Sequence, residues 1–574
     1  MEKVLQCDLC VIGGGVAGLG VAITSARLGL KVVLVQDRNV LGGNASSEVR
    51  MWIRGAGLRF PDYAEGGLVE ELALDNMHYN PQMNYHLWDG VLYNKVKAEK
   101  NITLLLGATC IGAKEEESAV KEIEVWELQS YTKYKIQAKY YADCSGDCIL
   151  AEFTSAEYMQ GRESASEYGE ACAVATPDKF TMGNSAMLQM HKTDADLSAT
   201  PFPFERTDID ALCDRRVKLK DHDFRIENFW WLELGGNKNA LKDAREINEE
   251  LLSTNFAIHS KIMRDNKDSA QKWALDWIGF LGAKRETRRY KGDYILTATD
   301  IQNLQQFDDE IAYGGWPMDD HDPNGFYAES PNRNIYPDAP YAIPYRCLYS
   351  ENIKNLFFAG RNISATHMAI SSTRVMATCM SLGQAVGVAC AVAHKYNLSP
   401  REVNAHIDEV QQTLLALDCH LLHTERKTVL HGFDKERNIG GADEVKRFAL
   451  GERLVYEFPK THCKGVRIVF DSDLQRKYLE KILPQNHFRF TLQKYPMLAY
   501  NGLEETLLQT PPSLVKDFTL EIKKNGAWER VETKENFQRL FIQEIDADIE
   551  GVAFTGNSTH GDSEICLFSI DLVK

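Results

Sequence analysis

Hydrophobic and polar positions along the 574 residues fall into three successive textures. In the first, Cys7 to Ile12 is a short apolar run of strand length. A helical pattern follows to Leu28, Gly29 is placed to cap it, and Lys31 to Val35 is a second, β-branched strand. This order predicts a βαβ unit and therefore a parallel sheet. The second texture, around 155–340, is rich in Trp, Tyr, charged helical stretches and loops. It includes a helical pattern near 240–265 and the polar segment Gly314–Gly325. The third starts near 425. Short alternating runs such as KGVRIVFDS, FTLEIKK and EICLFSIDLVK are separated by turn residues, as a β-sandwich requires.

The turn after the first strand carries the chemistry. Gly13-x-Gly15-x-x-Gly18, with Val16 and Ala17 between the last two glycines, sits between two strands in the context that makes it a dinucleotide-binding motif. Gly13 allows the tight turn, Gly15 lets backbone approach a pyrophosphate, and Gly18 lets helix and strand pack closely. The helix N-terminus then offers unpaired N–H groups and partial positive charge to phosphates. At the end of the second strand, Gln36 occupies the place of the usual ribose-binding acid, with Asp37 next to it as a second acceptor. No Arg stands at 36 or 37 to meet a 2′-phosphate, which disfavours NADP. Leu41-Gly42-Gly43-Asn44 follows, where two glycines let backbone lie along a long ligand.

GGGVAG followed by LGGN resembles the FAD-binding half of the glutathione-reductase-type flavoproteins. Tyr141 to Asp147 resembles the segment in which those proteins return to the pyrophosphate, which implies contacts from Ser145, Gly146 and Asp147. Asn355 to Arg361, NLFFAGR, resembles their late motif, in which Gly360 reaches the ribityl chain. That motif usually carries Asp where this chain has Arg361, so Arg361 is expected to meet pyrophosphate or a substrate carboxylate. Ser371-Ser372-Thr373-Arg374 reads as the start of a helix running on through Val375 and Met376, its N-terminus directed at the flavin ring. Together with RETRRYKGDYILT and WDGVLYNKVK, these segments resemble the bacterial FAD-dependent oxidoreductases distantly related to fumarate reductase flavoproteins, from about residue 8 to 395. No Cys-x4-Cys follows Gly42-Gly43, so a disulfide reductase is excluded. No His stands at 44–47 to attach a flavin, so FAD is expected to be non-covalent.

The resemblance and the textures combine into a fold. A doubly wound α/β, Rossmann-like FAD-binding domain is expected from 1–154 and 341–424. An α+β substrate domain is inserted at 155–340, and a C-terminal jelly-roll β-sandwich resembling galactose-binding domains occupies 425–574. The tail either binds carbohydrate or packs on the first domain. No second glycine motif follows a strand, so no NAD(P)H domain is built in.

Composition narrows the partners. At 44% hydrophobic residues the chain can bury large cores. A net charge of −17 argues against nucleic acid or an anionic membrane, but not against an anionic small molecule in a local basic pocket. Thirteen cysteines without framework spacing suit a reducing compartment. Met1-Glu2-Lys3 leads straight into the first strand, and the uncharged run Val375 to Ala393 is rich in small residues, which suits a buried helix rather than a membrane span. A cytoplasmic location is expected. His78 and His86 lack Cys or carboxylate at ligand spacing, so no metal site is expected, and the oligomeric state is not legible.

Hydride transfer needs a base and an orienting charge. His367, in the loop after the Gly-Arg strand, is the expected base. Arg374 is the expected orienter, because fumarate-reductase relatives hold a substrate carboxylate near this place. Arg288 and Tyr290 share one face of a strand and are further catalytic candidates. Arg50 and Arg54 either enter the pocket or bridge domains. The resulting expectation is oxidation of a secondary hydroxyl of a carbohydrate or glycoside, or reduction of its keto form. The alternatives are reduction of an activated C=C in a small carboxylate, and a non-catalytic FAD-containing binding protein.

Overall fold

A computed structural model describes residues 1–60, 63–215, 229, 231–427, 429, 430, 445–474 and 509–574. The rest of the predicted C-terminal domain, at 428, 431–444 and 475–508, lies outside the described residues. Apolar runs of strand length become β1 (Glu2–Ile12), β2 (Val32–Val35) and β3 (Ile102–Leu105). Alternating segments become β4 (Ala108–Glu116), β5 (Ala119–Glu127) and β6 (Thr132–Asp143). The sheet order is β3-β2-β1-β6-β5-β4. The first four strands are parallel, with Ile12 opposite Val35 on one side and Asp143 on the other, while β4 and β5 join antiparallel. The strand Leu356–Phe358 returns to pair in parallel with the last residues of β6. Sequence segments far apart thus place their C-terminal strand ends on one edge, where open α/β sheets bind ligands.

Helix α1 (Val16–Arg27) is buried from Val16 to Ala26. It packs against the helix Met376–Tyr396 at near backbone contact. A Cβ on Gly383 would stand 2.1 Å from the Ala17 carbonyl oxygen, and one on Gly20 would stand 2.6 Å from that of Met380. This explains the small-residue composition of Met376–Tyr396. Among the described residues it is the single helix long and apolar enough to cross a membrane, yet 83% of its apolar window is buried inside the protein. It also starts later than the N-cap pattern predicts. Thr366 caps a short helix, His367–Thr373, and the chain breaks at Arg374 and Val375 before the long helix begins. That break turns Arg374 and the new N-terminus toward open space.

The inserted segment has its own core, in which Leu188, Met190, Ile247, Leu251, Ile258 and Phe326 close around the amphipathic helix Ala244–Asp265. The C-terminal region is an antiparallel sheet domain. Its strands run in the order Lys446–Ala449, Glu564–Val573, Arg453–Phe470, Leu540–Thr559, Val515–Lys524 and Ala527–Thr533. Register shifts interrupt the two longest strands, which lets them bend. Apolar side chains of this sheet share a core with Ala73, Leu74 and Met77 of α2 (Leu68–Tyr79). The junction also carries buried charge. Arg539 donates from Nε to Asp418 at 2.8 Å and lies 3.8 Å from Glu70. Arg467 donates to the Ala416 carbonyl at 2.7 Å.

Arg539→Met should therefore destabilise the whole chain by about 3–5 kcal/mol, the usual cost of leaving buried carboxylates unpaired. Thermal unfolding would show a large drop in midpoint. A midpoint unchanged within error would mean that the junction is not energetically coupled.

Candidate active site

The glycine turn is built for backbone contact with a ligand. Gly13 has φ +102°, and a Cβ there would lie 2.5 Å from the Cys144 carbonyl oxygen. A Cβ on Gly18 would collide with the Gly13 carbonyl at 1.8 Å, so Gly18 serves packing, as its spacing predicts. Gly15 differs. Its Cβ would meet nothing nearer than Gly43 Cα at 3.8 Å, so it opens onto a cavity that a side chain would fill. The loop Gly42-Gly43 closes over it, with Gly42 N–H donating to the Gly14 carbonyl at 2.9 Å. Gln36 is buried, and its Oε1 accepts from Gly14 N–H at 2.7 Å while Nε2 donates to the Val40 carbonyl. Its amide is therefore engaged in bracing the turn, and exposed Asp37 at the cavity lip is the acceptor left for a ribose.

The cavity has a volume of about 280 Å3. Gly13, Gly15, Val16, Ala17, Gln36, Asp37, Gly42, Gly43 and Asn44 line its near side. Ser145, Gly146, Asp147, Gly360, Arg361 and Met376 line the far side. The structure thus brings these predicted residues around one space. Asp147 is clamped by Lys284 at 2.6 Å and Arg361 at 2.6 Å. Burial would raise its carboxyl, but the two cations outweigh this and hold it well below the usual carboxylate range. The glycine cradle, the helix N-terminus and these cations fit a dinucleotide pyrophosphate.

A second cavity, of about 180 Å3, shares Asn44, Lys284, Arg361, Arg374 and Met376 with the first, so the two are parts of one cleft. Val375 and Met376, at the start of the long helix, stand in its wall. Met51, Trp52, Met187 and Trp316 give it an apolar side. Arg374 donates to Asp319 at 3.3 Å, while its Nε, like the indole N–H of Trp52 and of Trp316, is buried without an acceptor among the described residues. Buried donors left unmatched are costly, and a bound acceptor would relieve them.

The strand Met318–His321 forms the inner wall. Residues two apart share a face of a strand. Asp319 and His321 line the second cavity, whereas Asp320 points behind the strand to His367. This alternation moves His367 out of the cleft, contrary to expectation. Its Nδ1 faces Glu286 at 2.8 Å, its Nε2 faces Asp320 at 3.1 Å, and its backbone N–H donates to Glu163. Burial would lower its pKa, but Glu286 and Asp320 outweigh burial and raise it to about 9. A histidine held charged and placed behind the strand, away from both cavities, is poorly suited to act as a base on a ligand in the cleft.

Arg288 and Tyr290 are likewise placed outside the cleft. Arg288 donates to Glu152 at 2.8 Å and to the Asp147 carbonyl at 3.0 Å. Tyr290 is wholly buried, stacks on Phe358, and donates to Asp143 at 2.6 Å. Asp143 also accepts from Ser145 and Leu150 N–H, so both residues brace the turn that carries Asp147. Arg50 bridges to the inserted segment through Gln189 at 2.8 Å and Asp276 at 3.0 Å, whereas Arg54 lines the second cavity. Sequence reasoning missed Lys284, Arg285, Trp52, Trp316, Asp319 and His321. The cluster Asp319-Asp320-His321 lies inside the polar segment already set apart at 314–325, and an alternating reading of it would have separated His321 from Asp320.

Comparison with known proteins identifies the family. Residues 8–414 match the family described as FAD dependent oxidoreductase, and the chain belongs to that family. Over 66 residues it is 46% identical to a glycerol-3-phosphate dehydrogenase of Mycobacterium leprae, which is 12% of this chain and 11% of that protein. Over 75 residues it is 44% identical to the D-erythritol 1-phosphate dehydrogenase of Brucella abortus, 13% of this chain and 14% of that protein. The chain therefore spans only a small part of these curated relatives. A geranylgeranyl bacteriochlorophyll reductase-like protein from Thermoplasma acidophilum aligns with 72% of this chain and 88% of its own, at 11% identity and a TM-score of 0.30.

Two outcomes follow from the site. Gly15→Trp should give colourless protein, because the side chain would occupy the space beside Gly43; a yellow variant with full flavin content would show that FAD binds elsewhere. His367 has a folded pKa above its usual value, so its contribution to stability is complete below about pH 6.5 and is lost as pH rises through about 9. The midpoint of wild type should exceed that of His367→Asn by on the order of 5 °C at pH 6, with the gap closing toward pH 10. A gap independent of pH would contradict the charged state.

Proposed function

We propose that this chain oxidises a secondary hydroxyl of a small carbohydrate-type molecule bearing an anionic group, or reduces the corresponding ketone. The observation that carries this reading is the shared wall of the two cavities, which sets a mixed apolar and basic pocket directly beside the glycine cradle. FAD, when bound there, supplies a two-electron acceptor for a substrate C–H. We take it to be bound without a covalent link, since no His lies at 44–47. Gly15, Gly42 and Gly43 would hold the pyrophosphate, Asp37 the ribose, and the Met376 helix N-terminus the ring end. Arg374, with the indole N–H groups of Trp52 and Trp316, would fix the substrate's anion. The two dehydrogenases quoted above carry phosphorylated polyols in their names, which is in keeping with that substrate class.

Reduction of a C=C in a small carboxylate is the second reading, favoured by Arg374 standing beside the apolar side of the second cavity. For the C-terminal sheet we favour a structural role over sugar binding by a galactose-binding-like jelly roll, because Arg539 and Arg467 tie it to the first domain through buried charge. A cytoplasmic location fits thirteen cysteines without framework spacing.

Arg374→Ala should weaken binding of a polyol phosphate or sugar acid by about 10- to 100-fold, as expected for loss of a charged hydrogen bond, and leave a neutral glycoside unaffected. Anaerobic titration of flavin absorbance would measure both. Equal effects on charged and neutral ligands would remove the anion from the proposal. Bleaching by saturated, hydroxyl-bearing compounds separates the first reading from the second, which requires reduced flavin to be reoxidised by an unsaturated acid.

A further inference from the structure

We propose that His321 holds and moves the proton of the reacting hydroxyl, with Glu233 as its positioning residue. This deepens the reading above and rests on the second cavity being the substrate site. Among the described residues, His321 is the histidine that lines this cavity. Its side chain is 1% exposed, and strand pairing of Met318–His321 with Asn332–Ile335 fixes its direction. Nδ1 lies 2.5 Å from Glu233 Oε2, and Nε2 lies 3.0 Å from Asp319 Oδ2.

Glu233 comes from the short strand Glu233–Leu234, which pairs with Asn184–Ser185. Its other oxygen accepts the Gly183 N–H at 2.7 Å, so the carboxylate cannot turn freely. Burial would raise its pKa, but Arg285 and His321 outweigh burial and keep it below the usual range. An ionised carboxylate on Nδ1 keeps a proton there, fixes the ring, and reserves Nε2 for chemistry. Nε2 faces Asp319, which lines the same cavity. Asp319 has other donors, Arg374 at 3.3 Å and Asn332, so its charge stays matched when a ligand enters. The groups facing the imidazole or its carboxylates are thus Glu233, Asp319, Arg285 and Arg374.

A substrate hydroxyl that takes the place of Asp319 on Nε2, leaving Asp319 to Arg374 and Asn332, would give its proton to Nε2 as the O–H bond breaks. FAD, when bound, would supply the acceptor for the carbon-bound hydrogen and its electron pair as the C=O bond forms, and Glu233 balances the imidazolium charge on His321. In the reverse direction Nε2 returns the proton to the carbonyl oxygen. His367 cannot substitute, because it lies behind the same strand on Asp320.

The test uses the flavin-loaded full chain. His321→Gln should keep its FAD yet reduce the flavin about 10²- to 10⁴-fold more slowly with a panel of polyols, polyol phosphates and sugar acids under anaerobic conditions. Glu233→Gln keeps the shape of the pair and removes its charge, so it stays informative if the first variant folds poorly. It should slow flavin reduction as His321→Gln does. Histidine NMR gives a readout independent of turnover: the imidazole N–H resonance lost in His321→Gln should lose its downfield position in Glu233→Gln, where Nδ1 no longer faces a carboxylate. Wild-type rates in His321→Gln, or an N–H resonance indifferent to Glu233, would overturn the proposal. If no compound reduces wild-type flavin, the substrate reading fails instead, and the N–H resonance decides on the His321–Glu233 pair by itself.

Discussion

Everything in the cleft depends on one packing constraint, the backbone-to-backbone approach of α1 and the helix Met376–Tyr396. Gly383 abuts the Ala17 carbonyl, and Gly18 abuts that of Gly13, at distances no Cβ would tolerate. This contact brings the N-termini of two helices to one sheet edge. One carries the glycine turn, and the other carries Val375 and Met376 beside Arg374. Two partial positive charges and a ring of cations then converge where a pyrophosphate and a reducible ring would lie. A methyl group at Gly383 would do more than crowd a helix, because it would pull apart the two walls of the cleft.

A second constraint is the alternation of side chains along Met318–His321. It divides the buried charges into two sets. Asp319 and His321 face the second cavity, while Asp320 and His367 belong to a closed network with Glu286, Arg289 and Glu163. The two histidines carry similar carboxylate partners yet have different surroundings. His367 is sealed in, so its charge can only support structure. His321 borders a space that a small molecule can enter. Burial of paired charge is rarely a net gain in stability by itself, so its concentration around this strand marks a requirement for defined geometry.

The first domain was readable because its signals are local. Strand–glycine–helix–strand lies within one short stretch, and Gly13 and Gly18 stand where a Cβ would strike backbone, while Gly15 opens onto the cavity. The late strand and its Gly360-Arg361 end were likewise legible. What could not be read was which side of an element faces the cleft. His367 follows the right strand but enters a helix whose start turns it away, and the break at Arg374 and Val375 has no sequence signal beyond the run of Ser and Thr before it. Arg288 and Tyr290 sit on a strand whose three residues are all buried, so alternation there separates two interior faces. Trp52, Trp316 and His321 come from loops and a short hairpin, and long-range packing brings them together.

Arg361 shows how a departure from a motif can be balanced elsewhere. An acid is expected after Gly360, and a cation stands there instead. The acid is supplied on the same wall by Asp147, which accepts from both Arg361 and Lys284. One carboxylate against two cations leaves this part of the wall net positive, where an acid at 361 would have added negative charge next to Asp147. Like charges at that distance would have raised one carboxyl and weakened the site for phosphate. The exchange therefore keeps the cofactor cavity electropositive in a chain whose overall charge is −17. Such a local field favours anions entering from solvent over the repulsion of the surrounding surface.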